Sequence, residues 1–270
     1  MSVLGALMWI WTDKGFVACD SVPISDRGFR YGMSVFESMR VGVDGPEHLD
    51  AHLARLRLAC GSREFPLAAG VLERAAELIQ TRGGAVVRAG ETEGFARIYV
   101  TAGDGAPTAA AEVCRVFVYI EARARPTRAA YDVTVFDETC LAPFGGIKTA
   151  NYWVNLDMLQ RAQRRSCDEA LLFNVGAELM SACLANVFVV HGQRIRTPST
   201  HCGARDGVMR EWVMGRCPVE EGSLFVDDLR KADEIFLTNS WIGVMPVASF
   251  NGRTFDSRHF SGKLQSALRS

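Results

Sequence analysis

Features that mark several large protein classes are missing from this 270-residue sequence. It has no long basic run and its net charge is −1, so we expect no nucleic-acid partner. The apolar start, residues 1–11, has no basic flank and is interrupted by Asp13 and Lys14, which favours a first buried strand over a signal peptide or a membrane anchor. The composition is 48% hydrophobic and 23% charged, as in an ordinary globular protein with no membrane partner.

Paired cysteines and metal-ligand spacings are also missing. The eight cysteines are widely spaced and include no C-x-x-C pair, which favours buried or free thiols in a reducing cytoplasm. Of the five histidines, His48 and His52 lie four residues apart, but no third ligand accompanies them. Packing on a helix face is therefore favoured over a metal site, and we expect a cytoplasmic protein without a metal.

Lysine is scarce: there are four lysines and 26 arginines among the 30 basic residues. Lys14, Lys231 and Lys263 lie in polar settings, whereas Lys148 follows two glycines and an isoleucine. Partial desolvation favours the neutral form of a lysine amine, whose lone pair can then form an imine. A surface lysine that covers an apolar neighbour with its stem is the commoner explanation of such a sequence. Lys148 alone is therefore only a hypothesis for a catalytic residue.

Strand and helix patterns indicate an α/β protein with an α+β two-domain arrangement. In the first half, apolar patterns predict strands at 7–11, 15–19, 34–43, 95–102 and 113–120, and helices at 48–60 and 71–81. In the second half, they predict strands at 131–136, 169–173, 186–190 and 234–238, and helices at 151–165 and 206–214. Residues 121–128 break the periodicity around Pro126 and are the predicted linker between domains at 1–120 and 129–270.

A phosphate-bearing cofactor bound through Lys148 would need anion-binding groups, and three segments offer them. Gly207 and Val208 open the predicted helix at 206–214, where backbone N–H groups can approach a phosphate. Arg55 offers a bidentate charge, and residues 238–240 offer hydroxyl and amide donors after an apolar strand. Each has a simpler explanation: an ordinary helix cap, an exposed helix arginine and a turn.

The order of the motifs along the chain makes these signals specific. They include Tyr31-Gly32-x-x-Val35-Phe36-Glu37, His52-Leu53-x-Arg55-Leu56, Ile147-Lys148-Thr149-x-Asn151-Tyr152 and Gly207-Val208-x-Arg210. From about residue 20 to 250, the sequence resembles the class IV (fold-type IV) pyridoxal-phosphate enzymes. That family contains branched-chain aminotransferases, D-amino-acid aminotransferases and aminodeoxychorismate lyases. The resemblance implies a small N-terminal α/β domain, a larger C-terminal pseudo-barrel domain and pyridoxal 5'-phosphate as the cofactor.

The resemblance also implies roles for individual residues. Lys148 would form the Schiff base with the cofactor and shuttle protons, and Tyr152 would approach the phenolic oxygen of the cofactor. The phosphate would be held by Arg55, the backbone of Gly207 and Val208, Thr238 and Asn239. The substrate side would be lined by Tyr31, Ser38 and Arg97. For Ser38 and Arg97, strand packing and surface polarity are the alternatives. The family also implies a small-molecule amino substrate and a homodimer in which each active site borrows a loop from the partner.

One position departs from the family pattern. The family has a glutamate five residues before the asparagine of its Asn-x-Phe element, and this carboxylate keeps the cofactor's pyridine nitrogen protonated. Counting back from Asn186 gives Ser181. Glu178 lies three residues earlier and would face the other side of an extended strand. One extra residue after Gly176 leaves room for a local bulge.

Ser181 favours a lyase, because a neutral hydroxyl cannot stabilise a pyridinium as a carboxylate does. Transamination depends strongly on that electron sink, whereas in elimination the electrons leave with the departing group. The short chain and the Thr238-Asn239-Ser240 run also favour 4-amino-4-deoxychorismate lyase, which eliminates pyruvate to give 4-aminobenzoate. The run from Tyr31 to Arg40 is shared with branched-chain enzymes, so an aminotransferase acting on D- or branched-chain amino acids with 2-oxoglutarate is the alternative. A degenerate pyridoxal-phosphate-binding protein is the third hypothesis.

Overall fold

The computed structural model describes residues 7–87, 92–142 and 144–268. The contacts within the chain divide it into two compact units. The N-terminal unit contains the described residues up to Arg125 together with Lys148–Asn151, and the C-terminal unit contains Pro126–Ile147 and the described residues from Tyr152 onwards. The division falls inside the predicted linker, but Lys148 belongs to the N-terminal unit and not, as predicted, to the C-terminal domain.

The N-terminal unit is an antiparallel sheet with helices on one face. Its strands are β1 (Leu7–Thr12), β2 (Gly15–Ala18), β3 (Ser34–Gly42), β4 (Gly45–Pro46), β5 (Thr92–Thr101) and β6 (Arg115–Ala124). Its helices are α1 (Arg27–Tyr31), α2 (Leu49–Ser62) and α3 (Val71–Gly83), followed by a short 3-10 turn at Gly84–Val86. The strands are hydrogen-bonded in the order β2-β1-β6-β5-β3-β4.

The burial of alternate side chains along β3 shows which face of this sheet the helices cover. Met39 and Val41 are fully buried, as are Leu56 of α2 and Ile79 of α3. Because successive side chains of a strand point to opposite faces, Ser38 lies on the face opposite to Met39. The helices therefore cover one face of the sheet, and the polar side chains of the other face remain available for a ligand.

The C-terminal unit is built on a second sheet, which curls around an apolar core. Its strands are β7 (Tyr131–Thr139), β8 (Glu169–Phe173), β9 (Leu179–Ala182), β10 (Asn186–His191), β11 (Arg194–Pro198), β12 (Val219–Gly222), β13 (Glu234–Asn239), β14 (Gly243–Phe250) and β15 (Arg253–Thr254). Its helices are α4 (Trp153–Arg164), α5 (Val208–Met214), α6 (Val226–Lys231) and α7 (His259–Ala267), with a 3-10 turn at Thr200–Cys202. The strands follow the order β12-β11-β10-β13-β14-β7-β8-β9, and β15 pairs with β14. Val133, Leu171, Val187, Leu237 and Met245, each from a different strand, pack into one buried cluster.

Every strand and helix that the apolar patterns predict is present, with ends shifted by a few residues. The predicted hairpin at 7–19 is formed by β1 and β2, although residues 1–6 lie outside the described part of the chain. The predicted linker 121–128 is shorter, because β6 continues through Ala124 with ladder partners on β5. In the described residues, no helix is long and apolar enough to cross a membrane.

Candidate active site

Lys148 lies beside β3 of the N-terminal unit and is fixed there through its backbone. Its carbonyl accepts a hydrogen bond from the N–H of Phe36 (2.9 Å), and Thr149 pairs with Val35 in an isolated antiparallel bridge. The Lys148 amine nitrogen, Nζ, lies 4.1 Å from the centroid of the Phe36 ring. An amine held against an aromatic face is partly desolvated, which is the environment that the sequence predicts for it.

A close approach of two turns fixes the segment after Lys148. Asn151 Nδ2 donates to the carbonyl of Gly32 (3.3 Å), and a Cβ at Gly32 would lie 2.1 Å from Asn151 Oδ1. Gly32 also has a φ of 68°, so both the backbone conformation and the space require glycine. Tyr31, a predicted substrate-side residue, ends α1 directly before Gly32 and is 43% exposed. The structure thus joins the Tyr31 turn to the lysine segment.

The polar face of the sheet brings the other two predicted substrate residues together. Ser38 of β3 and Arg97 of β5 are direct partners in the antiparallel ladder. Two residues along the same face, Phe36 and Tyr99 are stacked with their ring centroids 5.2 Å apart. Arg97 forms no ion pair within the part of the chain that the structure describes, and its guanidinium lies 4.7 Å from the Phe95 ring centroid. This face therefore presents a positive charge next to a hydroxyl, on the same side as the Lys148 amine.

Arg55, the predicted phosphate ligand of the N-terminal unit, is held by a buried carboxylate. Its Nε and Nη2 atoms donate to the two oxygens of Glu37, each at 2.7 Å, and His52 Nδ1 lies 2.7 Å from Glu37 Oε2. Burial would raise the pKa of Glu37, but the hydrogen bond with His52 and the charge of Arg55 outweigh burial and lower the pKa to about 2. Glu37 therefore stays ionised and orients Arg55. It lies on the helix-covered face, opposite to Ser38.

In the C-terminal unit, Tyr152 is bound to an arginine that the sequence did not indicate. Tyr152 precedes α4, and Arg205 Nη1 donates to its hydroxyl oxygen at 2.6 Å. The Arg205 guanidinium carbon also lies 5.3 Å from the centroid of the Tyr152 ring. The only signal in the sequence is an arginine directly before the Asp206-Gly207 pair, which by itself does not distinguish it from the other arginines.

Asn186 lies next to two of the predicted phosphate-binding residues of this unit. It opposes Thr238 in the ladder between β10 and β13, and its Nδ2 donates to the Arg205 carbonyl (2.7 Å). A Cβ at Gly207, which immediately precedes Val208 and α5, would lie 2.1 Å from Asn186 Oδ1. Asn186 thus pairs with Thr238 through its strand and approaches Arg205 and Gly207 through its side chain.

Asn239 holds a turn. Its Nδ2 donates to the Leu184 carbonyl (3.0 Å), and its Oδ1 accepts from the N–H groups of Trp241 and Ile242, both at 2.8 Å. The side chain of Asn239 is thus engaged within the protein. The predicted contact of Asn239 with a phosphate would therefore use its backbone or the second N–H of its amide.

Ser181 lies on β9 next to the predicted bulge. Leu172 of β8 pairs with Ser181, but the next residue, Phe173, pairs with Leu179, so Met180 is an extra residue in β9. The bulge that the sequence allowed for is therefore present. The Ser181 side chain is half-buried, and its hydroxyl makes no hydrogen bond to the residues that the structure describes.

Glu178, the nearest carboxylate in sequence, is occupied elsewhere. Its Oε2 accepts from Asn174 Nδ2 (2.8 Å), and its Oε1 accepts from the Ser223 hydroxyl. These two hydrogen bonds lower the pKa of Glu178, so its carboxylate is held ionised at the turn before β9. This geometry agrees with the assignment of Ser181, rather than Glu178, to the position of the family glutamate.

A buried acid lies behind the turn that follows Ser181. Glu169 is 3% exposed, its Oε1 accepts from the Leu184 N–H (3.2 Å), and its Oε2 has no partner among the described residues. Burial raises the pKa of Glu169 to about 8. The sequence does contain a signal for it, since a charged residue opens the apolar strand at 169–173. No group of His, Cys, Asp or Glu in the described residues could hold a metal ion.

Comparison with known proteins identifies the family. The model of the family "Amino-transferase class IV" matches residues 34–250. The chain belongs to this family. It is therefore a pyridoxal 5'-phosphate-dependent enzyme with the fold-type IV architecture of two α/β units with curled sheets.

Curated relatives include both transaminases and a lyase. The chain is 26% identical over 249 residues to the D-alanine aminotransferase of Bacillus licheniformis, covering 88% of this chain and 86% of that one. It is 24% identical over 257 residues to the aminodeoxychorismate lyase of Bacillus subtilis, covering 90% and 86%. With a mitochondrial branched-chain-amino-acid aminotransferase of Arabidopsis thaliana, it is 31% identical over 127 residues, which is 44% of this chain but only 33% of that enzyme.

Solved structures share the fold over almost the whole chain. The branched-chain amino acid aminotransferase of Escherichia coli aligns with a TM-score of 0.84 and 22% identity, covering 97% of this chain and 93% of that one. An aminotransferase from Brucella abortus bound to the cofactor PLP aligns with a TM-score of 0.82 and 23% identity, covering 97% and 98%.

The residues present fit the phosphate end of the cofactor. The Thr238 hydroxyl oxygen is buried without a hydrogen-bond partner in the described part of the chain, which is costly unless a ligand supplies one. Close to Asn186, Gly207 immediately precedes α5, and the first backbone N–H groups of a helix have no partner within the helix and can bind an anion. Lys148 would supply the amine that covalent attachment requires. The roles of these residues remain predictions.

Proposed function

We propose that this chain is a 4-amino-4-deoxychorismate lyase, which converts its substrate into 4-aminobenzoate and pyruvate. The observation that carries the proposal is Ser181, a neutral half-buried side chain at the position where the family has a carboxylate. When bound, pyridoxal phosphate withdraws electrons from the amine-bearing carbon of the substrate. A neutral partner at the ring nitrogen weakens this withdrawal. A reaction in which the electron pair leaves with a departing group is then favoured over one that must store it in the ring.

Elimination from aminodeoxychorismate provides such a departing group. The Lys148 amine removes the proton from the amine-bearing ring carbon, and the electron pair left behind expels the enolpyruvyl oxygen from the adjacent carbon. Enolpyruvate takes up a proton and becomes pyruvate, while the six-membered ring becomes aromatic. Aromatisation supplies driving force, so the weaker electron withdrawal that Ser181 permits is sufficient.

The N-terminal unit offers the groups that would orient this substrate. Aminodeoxychorismate carries two carboxylates, and Arg97 is a cation without an ion-pair partner in the described residues. The Ser38 hydroxyl lies directly opposite on β3, and the Phe36–Tyr99 stack provides an apolar wall for a ring. Arg97 and Ser38 thus suit a carboxylated ring whose amine meets Lys148.

The test is release of pyruvate from aminodeoxychorismate by purified protein loaded with pyridoxal phosphate. We expect turnover by the wild type and by Lys14→Ala, which removes an exposed lysine of the same unit, and none by Lys148→Ala. Absence of pyruvate at saturating substrate, with cofactor bound, would show that the enzyme is not this lyase.

A transaminase acting on D- or branched-chain amino acids with 2-oxoglutarate is the second candidate. It is supported by the D-alanine aminotransferase relative, which matches as much of the chain as the lyase relative does. The two candidates differ in how the bound cofactor responds to an amino acid that is added without 2-oxoglutarate. A transaminase converts the bound cofactor to its pyridoxamine form when D-alanine or L-leucine is added alone, and the lyase does not.

A pyridoxal-phosphate-binding protein without catalysis is the third candidate, and Ser181 again motivates it. Borohydride reduction that fixes the cofactor to Lys148, in a protein that turns over none of these amines, would favour it over both enzymes.

We further propose that the enzyme is a homodimer of a reducing compartment such as the cytoplasm. All eight cysteines lie in the described residues and are free thiols, which such a compartment preserves. Large apolar side chains are exposed at the start of α4, including Trp153 at 85% exposure and Val154 at 53%. Exposed apolar clusters of this kind mark association surfaces.

A further inference from the structure

Arg205 contacts two of the residues that surround the predicted cofactor site in the C-terminal unit. Its Nη1 donates to the Tyr152 hydroxyl, and its backbone carbonyl accepts from Asn186, which opposes Thr238 in the strand ladder and whose side chain lies next to Gly207. One residue therefore connects the predicted partner of the cofactor's phenolic oxygen with the predicted phosphate-binding residues.

The backbone of Arg205 is held in place from two sides. Besides the hydrogen bond from Asn186, the turn at Gly146 packs against it: a Cβ at Gly146 would lie 2.8 Å from the Ala204 carbonyl oxygen and 3.3 Å from the Arg205 Cα. Gly146 has a φ of 77°, so glycine is required there both by conformation and by space. The backbone of Arg205, in the loop before α5, is thus positioned by these two contacts.

The direction of the hydrogen bond to Tyr152 is fixed by chemistry. A guanidinium has only donors, so the Tyr152 oxygen must accept from Arg205. The hydroxyl proton of Tyr152 therefore points away from Arg205 and is oriented as a donor to another acceptor. A neighbouring positive charge also makes a hydroxyl a stronger hydrogen-bond donor.

A second feature indicates that a ligand contacts Arg205 itself. Its Nε is buried and has no hydrogen-bond partner among the described residues. Buried donors in native proteins are almost always paired, because an unpaired one loses its hydration without compensation. An acceptor on a bound ligand would complete the site.

We propose that Arg205 is a positioning residue that acts on the bound cofactor through Tyr152. It orients the Tyr152 hydroxyl toward the phenolic oxygen of the cofactor and adds a positive charge on that side of the ring. Together with Ser181, this places the electrostatic stabilisation of the ring at its oxygen, whereas a carboxylate at position 181 would place it at the nitrogen. The inference rests on the cofactor-binding part of the proposed function and is independent of the reaction that follows.

The experiment measures the loaded protein without turnover. The pH midpoint of the visible absorbance change of the bound cofactor is compared in the wild type, Arg205→Met, Tyr152→Phe and the double variant, and the cofactor Kd is measured by titrating each apoprotein. Arg161→Met is the matched control, because Arg161 lies on α4 but pairs with Glu138 (2.7 Å). Circular dichroism confirms that each variant is folded.

Removal of a nearby positive charge disfavours loss of a proton, so Arg205→Met should raise the midpoint by about one pH unit. Arg205→Lys, which keeps the charge but not the fixed geometry, should give a smaller rise, and Arg161→Met none. Because Arg205 acts mainly through Tyr152, the effect of Arg205→Met should be smaller in the Tyr152→Phe background, and the direct contact of Arg205 Nε with the ligand accounts for the remainder.

An unchanged midpoint in folded, loaded Arg205→Met would overturn the inference. So would a shift of equal size in the Tyr152→Phe background, since Arg205 would then act without Tyr152. Failure of the wild type to bind pyridoxal phosphate would overturn the cofactor assignment and the inference together. Failure of the lyase assay alone affects only the proposed reaction.

Discussion

Ser181 is predicted to occupy the position that controls how strongly the cofactor ring can accept electrons. Its hydroxyl is half-buried on β9 beside the bulged Met180, and the nearby Glu178 is bound to Asn174 and Ser223. No carboxylate of this segment is thus left to keep the ring nitrogen protonated. On this prediction, the reduced strength of the electron sink depends on one side chain, and one substitution should reverse it.

Ser181→Glu should restore a protonated ring nitrogen. We expect conversion of the cofactor to its pyridoxamine form by D-alanine or L-leucine to become at least about tenfold faster, which corresponds to about 1.4 kcal/mol of transition-state stabilisation. The nitrogen-15 chemical shift of labelled cofactor should move from the value of free unprotonated pyridine towards that of the protonated form.

Ser181→Gln is the matched control, because it adds the same volume without the charge. If Ser181→Glu and Ser181→Gln show the same chemical shift and the same rates, the charge at this position does not control the ring, and the main argument for a lyase is lost.

Individual site residues differ in how far the sequence could reveal them. Lys148 and Gly207 stand in short motifs whose spacing resembles that of the family, so the sequence singles them out and suggests a role for each. Arg205 could not be singled out, because its importance comes from a hydrogen bond to Tyr152, 53 residues earlier in the chain. Nor does the sequence show that the Asn239 side chain holds a turn.

At the scale of elements, the short helix α5 begins directly after Gly207, where the nearby Asn186 leaves no room for a side chain. Gly207 precedes Val208, the first residue of α5, and its Cα hydrogen faces Asn186 Oδ1. Because Asn186 also pairs with Thr238 across β10 and β13, a shift of Gly207 would move the backbone donors and disturb the strand pair that carries the hydroxyl. The phosphate-binding geometry is therefore a property of three elements together.

Gly207→Ala should weaken cofactor binding with little effect on folding. The added Cβ would lie 2.1 Å from Asn186 Oδ1, so either the α5 start or Asn186 must move. We expect the Kd for pyridoxal phosphate to rise at least about tenfold, which is about 1.4 kcal/mol of binding free energy.

Gly215→Ala, at the other end of α5, is the control. A Cβ there would come no closer than 3.5 Å to its neighbours, so its cofactor affinity should remain that of the wild type. Equal affinities for Gly207→Ala and Gly215→Ala would exclude Gly207 from the phosphate site.

The elements that the sequence failed to predict include the eight-residue strand β14 and the nine-residue helix α7, as well as short and irregular ones. β9 has four residues and contains a bulge, which removes the regular alternation that identifies a strand. β12 has two exposed acidic residues and pairs only at the edge of the sheet. In contrast, β8 is buried at every position and was predicted with its observed ends, Glu169–Phe173.

At the scale of the whole molecule, the chain returns to the N-terminal unit for four residues. Lys148–Asn151 belongs there because Thr149 pairs with Val35 and Lys148 accepts from Phe36. Local periodicity carries no information on a pairing across more than a hundred residues, so the sequence placed Lys148 in the C-terminal domain. The two units were nevertheless predictable, because Pro126 interrupts the pattern where the contacts divide.

The association state is also a property of the whole molecule. Trp153, Val154 and Leu156 are exposed within four residues at the start of α4, whereas Asn155 between them points inward and donates to the Cys183 carbonyl (2.9 Å). We expect a second copy of the chain to cover this apolar cluster, so light scattering should give a mass of about twice the 29.6 kDa of one chain. Trp153→Glu should lower the mass towards that of a monomer.

Val175→Glu is the control for this prediction, because Val175 is 73% exposed but lies in the turn between β8 and β9, away from other exposed apolar side chains of its segment. A charge there should leave the mass unchanged. A charge at Trp153 must instead be desolvated on association, and an unpaired charge buried in an interface costs several kcal/mol. If Trp153→Glu and Val175→Glu keep the same mass over a dilution series, the start of α4 does not form the interface, and the exposed tryptophan requires another explanation.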